Sequence, residues 1–193
     1  MRRFLSLCAL ALLTACGGSP LRPPSDIENA CTIVSERPGW LRDMQRAERR
    51  WGVPVEVQLA VIHQESKFRG DARTPHRFLL GIIPMGRQST AYGYSQALDG
   101  TWDEYRREAG GWSARRDRFG DAVDFMGWYM DQAHRRAGIP KTSARDLYLA
   151  YHDGISGYLR GTYRRKAWLL RTAAEVEARS QRYRVQLASC GRR

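Results

Sequence analysis

Along most of the chain apolar residues recur three and four positions apart, whereas the strict alternation of a half-buried strand is scarce. Between Trp40 and Trp51, the residues Leu41, Met44, Ala47 and Trp51 share one face, and Gly52 supplies a helix stop. From Pro54 to Ser66, Val55, Val57, Leu59, Ala60, Val61 and Ile62 cover most of the circumference, which predicts a central helix buried nearly all round. Helices are also expected over Thr101 to Ala109, from Phe119 to the stop at Gly138-Ile139-Pro140, over Ala144 to Tyr151, and from Ala167 to Ala188. The last carries the stripe Leu169, Ala173, Val176, Ser180, Tyr183 and Leu187, with Arg and Glu on its other faces, so it should lie on the outside of the domain. Residues 70–91 break the pattern: Thr74-Pro75, Gly81, Ile83-Pro84 and Gly86 are turn chemistry around an apolar stretch, a long loop with room for a short β-hairpin. The fold class read from this pattern is mainly α, a single domain with a long inserted loop.

The two ends change the picture. Arg2 and Arg3 precede the apolar run Phe4 to Leu13, too short to span a bilayer and shaped like a secretory signal over residues 1–15. Leu13-Thr14-Ala15-Cys16 resembles a bacterial lipobox, which makes Cys16 the lipidated first residue of the mature chain. Residues 16–30, with Gly17-Gly18-Ser19-Pro20 and Pro23-Pro24-Ser25, read as a solvated flexible tether, leaving 31–193 as the domain. Of four cysteines, Cys8 leaves with the signal and Cys16 takes the lipid; Cys31 and Cys190, in an oxidising compartment, are expected to pair and pin the termini. The formal net charge of +12 stays strongly basic without Arg2 and Arg3, which suits anionic partners such as wall polymer or lipid head groups. Export argues against nucleic acid as partner. The membrane is reached through the lipid, since no other stretch is long and apolar enough to cross one.

Candidate chemistry centres on the stretch VIHQESKF, residues 61–68. Glu65 shares its helical face with Val61 and Ile62, and a carboxyl among apolar neighbours is disfavoured as an anion. An acid still protonated near neutral pH can protonate a leaving glycosidic oxygen. The competing reading is a helix-end acid facing solvent or pairing with Lys67 or Arg69.

Three stretches weigh on that choice. HQESKF resembles the Glu-Ser motif of the soluble lytic transglycosylases and goose-type lysozymes, family 23 of the glycoside hydrolases; AYGYSQALDGTW (91–102) is similar to that family's Gly-Leu-Met-Gln segment; LYLAYHDGISGY (147–158) is similar to its Ala-Tyr-Asn-Ala-Gly segment. Order and approximate spacing agree over about residues 50–165. The resemblance implies a lysozyme-like fold and a lytic enzyme acting on peptidoglycan glycan strands without a cofactor. It places the catalytic acid, later base, at Glu65, with Ser66 beside it, and the glycine and glutamine of the sugar cleft at Gly93 and Gln96. The tyrosine whose hydroxyl lies near the acid falls at Tyr151. Cleavage of the β-1,4 bond between N-acetylmuramic acid and N-acetylglucosamine would end in a 1,6-anhydro ring. Gly17 lacks the aspartate that often retains lipoproteins at the inner membrane, so the resemblance implies an outer-membrane anchor facing the periplasm.

The departures are specific. Tyr94 and Ser95 replace the Leu-Met pair, His152 stands where asparagine is expected, and Asp153 replaces the following alanine. Tyr94 and His152 are therefore candidate sugar contacts of a different kind. Asp153 keeps open a two-carboxylate hydrolytic muramidase, though a structural acid near a turn is the stronger reading. The same departures keep open a non-catalytic wall-binding lipoprotein. No metal is expected: His63 and Glu65 have the His-x-Glu spacing of zinc deaminases, but neither P-C-x-x-C nor H-E-x-x-H occurs. Trp102, Trp112, Trp128 and Trp168 could stack on sugars, but their helical spacing assigns most to the core, and the basic stretches 46–50 and 163–166 read as solvated faces.

Overall fold

A computed structural model describes residues 22–79 and 83–190, with backbone alone for 76–79 and 83–85; the expected signal and Cys16 lie outside the described residues. The element order is α1 (Ala30–Glu36), α2 (Pro38–Trp51), α3 (Val55–Ser66), β1 (His76–Leu79), β2 (Ile83–Arg87), α4 (Asp99–Tyr105), α5 (Phe119–Ala137), α6 (Ala144–Asp153), α7 (Ile155–Leu159) and α8 (Ala167–Ser189). A π turn at Arg106–Gly110 extends α4, and a 3-10 turn at Thr162–Arg165 leads into α8. The mainly α, lysozyme-like class expected from the sequence is the one found. Among the described residues no helix is long and apolar enough to cross a membrane.

The apolar pattern of α3 has the meaning its sequence gave: Val57, Leu59, Ala60, Val61 and Ile62 are almost wholly out of contact with water. Its flanks are set locally, by Pro54 in extended backbone before it and by Lys67 and Phe68 in the left-handed region after it. Lys67 donates its backbone N–H to the His63 carbonyl, closing the last turn, and Phe68 dives into the core against Trp40. α2 and α5 pack closely because Gly127 has no side chain; a Cβ there would meet the Trp51 ring at 2.6 Å. The Asp124 carboxylate joins three elements, accepting from Trp51 Nε1 at 2.9 Å, Arg50 at 2.9 Å and the Tyr105 hydroxyl at 2.8 Å. Loss of a partner in such a network would leave a part-buried charge unsatisfied.

The inserted loop does hold a short antiparallel hairpin, β1 with β2, in the register His76↔Arg87, Phe78↔Pro84 and Leu79↔Ile83 with a bulge between His76 and Phe78. Its base is fastened by Thr74 Oγ1 donating to the Ser89 carbonyl at 2.9 Å and by Arg87 donating to the Thr74 carbonyl at 2.7 Å.

Helix α8 covers more than an outer surface. It lies against α3 and α6, burying Leu169, Ala173, Val176, Ser180 and Tyr183 on the expected stripe. Its far end carries Cys190, bonded to Cys31 of α1 as expected, across a sequence separation of 159. On the chain-entropy account, closing so long a loop is worth about 4–5 kcal/mol. Residues 22–29, which composition assigned to the tether, lie against the domain: Glu28 binds Arg179 at 3.1 Å and Arg182 at 3.0 Å, Tyr183 donates to the Ile27 carbonyl, and Asn29 caps α1. Helix α1 carries no helical signal in its sequence, because Thr32, Ile33 and Val34 are β-branched and their helical state depends on that cap and on docking to α8.

Candidate active site

Glu65 sits on the last turn of α3, half-buried, at the negative end of the helix dipole. Burial pushes its carboxyl up to about 8, against the opposing pull of a hydrogen bond from the Tyr148 hydroxyl and, more weakly, of the Lys67 cation. Tyr148, almost fully buried on α6, also accepts from Gln64, so the phenol is oriented by two partners. Burial and the neighbouring Glu65 raise the Tyr148 phenol above its ordinary range, which keeps it a donor. Near neutral pH this arrangement stores a proton on Glu65, and a neutral donor steadies whichever carboxyl oxygen becomes charged.

Tyr151, one turn further along α6, lies near the acid but spends its hydroxyl elsewhere. Its hydroxyl donates to the Ser95 carbonyl at 2.6 Å, although it lies close enough to Glu65 for a charge there to raise its own pKa, after burial itself. Tyr148 was missed because, three positions before the motif tyrosine, it has the spacing of an ordinary core aromatic. Only the fold shows that the helix presents both rings towards α3.

The segment 93–96 forms the facing wall. Gly93, at φ 78°, cannot be replaced without collision: a Cβ would lie 2.1 Å from the Arg116 carbonyl oxygen. Gln96 also takes a left-handed conformation, φ 51°, and its amide nitrogen donates to the carbonyls of Ala72 at 3.0 Å and Gly93 at 2.8 Å. Arg116 holds the outer side through the carbonyls of Thr90 and Ala97 and an ion pair with Asp99 at 2.7 Å. Gln96, Tyr151, His152, Tyr129 and Phe125 line a cavity of about 330 Å³. Glu65 does not itself line this hollow; Tyr151, which does, lies close enough to the acid to feel its charge.

Of the residues expected to touch substrate, Gln96, Tyr151 and His152 therefore come together, with Gly93 shaping the wall. Ser66 and Tyr94 do not join them. Ser66 is buried with its hydroxyl donating back to the Ile62 carbonyl at 3.3 Å. Tyr94 is 1 % exposed and packs edge-on against Trp40 and Phe119 at 5.5 and 5.3 Å, so the residue that replaces leucine in the motif serves the core.

Asp153 is engaged. Its side chain is only 3 % exposed, and the carboxylate accepts from Thr162 Oγ1 and forms an ion pair with Lys166, which outweigh burial and hold it below its ordinary value. Lys166, expected on a solvated face, thus has an internal task. The tryptophans divide: Trp102 and Trp128 are core, whereas Trp112 and Trp168 are 85 % and 48 % exposed.

His63 has no part in the cleft. It is 2 % exposed, with Nε2 2.8 Å from the Glu28 carboxylate and Nδ1 3.2 Å from Lys67 Nζ. Burial first, then Arg179 and Lys67, push its pKa down to about 4, so a neutral imidazole bridges a cation and an anion behind α3. Among the described residues no group of three or more His, Cys, Asp or Glu is placed to hold a metal.

The family model described as a transglycosylase SLT domain matches residues 4–190 of the chain. A comparison with curated proteins gives no match.

Proposed function

The chain belongs to the transglycosylase SLT domain family and is a peptidoglycan lytic transglycosylase; we propose that Glu65 is the single acid and base of its reaction. The observation that carries this reading is a sheltered carboxyl, raised to about 8, whose hydrogen bond comes from a neutral phenol. Protonated Glu65 donates to the glycosidic oxygen as the bond from muramoyl C1 breaks, and the N-acetyl carbonyl oxygen of the same sugar takes that position on C1. The Glu65 carboxylate then removes the proton of the C6 hydroxyl. That oxygen attacks C1, expels the N-acetyl oxygen and closes the 1,6-anhydro ring, returning the proton to the acid. No water enters the product, and no second carboxylate is needed.

Asp153 is the natural second acid for a hydrolytic alternative, and its pairing with Lys166 and Thr162 speaks against that use. Product mass decides: the lyase reading requires muropeptides one water lighter than reducing ends, with Glu65→Gln yielding none. Full residual cleavage by Glu65→Gln would remove Glu65 from its role.

The same proposal places the enzyme on the outer membrane, facing the periplasm, through a lipid on Cys16. The support is Leu13-Thr14-Ala15-Cys16-Gly17 after a basic and apolar leader. Metabolic labelling with a radioactive fatty acid should mark the wild type and not Cys16→Ser, and membrane fractionation should find the label with outer-membrane markers; label in the inner membrane would refute the placement.

A further inference from the structure

We propose that Trp168 and His152 form a saccharide-stacking subsite that extends the cavity of Gln96, Tyr151 and His152 outward and receives one pyranose ring of the glycan strand. The inference rests on the Glu65 reading and carries it from the bond broken to the sugars held. Trp168 belongs to the first turn of α8 but lies off the stripe that buries Leu169, Ala173 and Val176, and 48 % of it remains exposed. Its ring meets that of His152 at 4.9 Å between centroids and 80° between planes, an edge contact made by a tryptophan that stays half open to solvent. His152 lies 6.3 Å from the Tyr148 ring, and Tyr148 hydrogen-bonds Glu65. Three rings thus lead from the acid to the surface, and the middle one lines the cavity shared with Gln96 and Tyr151.

Two features fit these rings to an uncharged sugar. Crowding by the protein and the nearby Lys166 cation hold His152 below its ordinary pKa, so at neutral pH it offers a flat neutral imidazole. The Asp153 carboxylate anchors Thr162 and Lys166, the turn immediately before α8, so Trp168 is held in place before substrate arrives. A preset ring loses little side-chain entropy on binding, and the axial C–H face of a pyranose gives it extensive dispersion contact. The departure of His152 from the family asparagine then has a use: asparagine offers hydrogen bonds, whereas imidazole offers a ring that packs on Trp168.

The test uses the mature full-length chain and peptide-free glycan strands of graded length. In a Glu65→Gln background, Trp168→Ala should weaken strand binding about three- to tenfold. In the active enzyme the same change should raise KM by a similar factor with kcat within twofold. Trp168→Phe should recover most of the loss, and Trp112→Ala, at a still more exposed ring outside the cavity, should match wild type. Unchanged Kd and KM in Trp168→Ala, a loss in kcat alone, no recovery by phenylalanine, or an equal loss in Trp112→Ala would each overturn the subsite. Turnover surviving in Glu65→Gln would instead sink the catalytic reading, while KM in the otherwise wild-type enzyme still decides the subsite.

Discussion

Glu65 and Asp153 are both acids withdrawn from water near the same cleft, yet their surroundings push them in opposite directions. Asp153 has a lysine and a threonine hydroxyl in direct contact, so its charged form is favoured despite burial. Glu65 has a phenol as its hydrogen-bond partner and only the weaker pull of Lys67, so burial wins and the proton stays. The difference teaches that shelter from solvent does not by itself make an acid catalyst; what matters is whether the shelter includes a counter-charge.

Removing the protonated acid should break the contrast most severely: Glu65→Gln is expected to lower kcat at least about a thousandfold in a muropeptide-release assay. Next in size is pH. Because the first step needs Glu65 protonated, kcat/KM should fall about tenfold per pH unit above pH 8, the value of the buried carboxyl. Tyr148→Phe should lower kcat about tenfold, and because the lost hydrogen bond favours the carboxylate, the alkaline limb should move to higher pH. Asp153→Asn should leave kcat within about threefold while lowering Tm by about 2–4 °C at neutral pH. That deficit belongs to a lowered carboxylate, so it should be present above the ordinary value of 3.8 and fade as pH falls through the folded one.

The opposite sign provides a second measure of the same contrast. A raised acid makes the native state bind its proton more tightly than the unfolded chain does, so its cost to stability grows from about pH 4.5 to about pH 8 and is complete above that. Glu65→Gln should therefore raise Tm by a few degrees at pH 9, by about 2–5 °C, and leave it unchanged near pH 4.

What could be read from the sequence was what local pattern encodes. The all-round apolar character of α3, the glycine stops after α2 and α5 and the stripe on α8 each arise from neighbours within a few turns. Glu65 was legible because a motif named it and Val61 and Ile62 foretold its dry setting. Tyr148 was not, since its task depends on α6 crossing α3, and the Lys166 to Asp153 pair was hidden by the intervening turns. Ser66 and Tyr94 mark the opposite error: motif neighbours were credited with sugar contacts, whereas packing turned both inward. The short α7 falls below the length at which periodicity is informative.

Residues 22–29 dock onto α1 and α8, which would shorten any tether attached at Cys16. With a lipid on Cys16, residues 17–21 alone could serve as leash, and fully stretched they reach only about 18 Å. An enzyme so closely moored would trim the layer of wall nearest its own membrane and leave deeper strands to others.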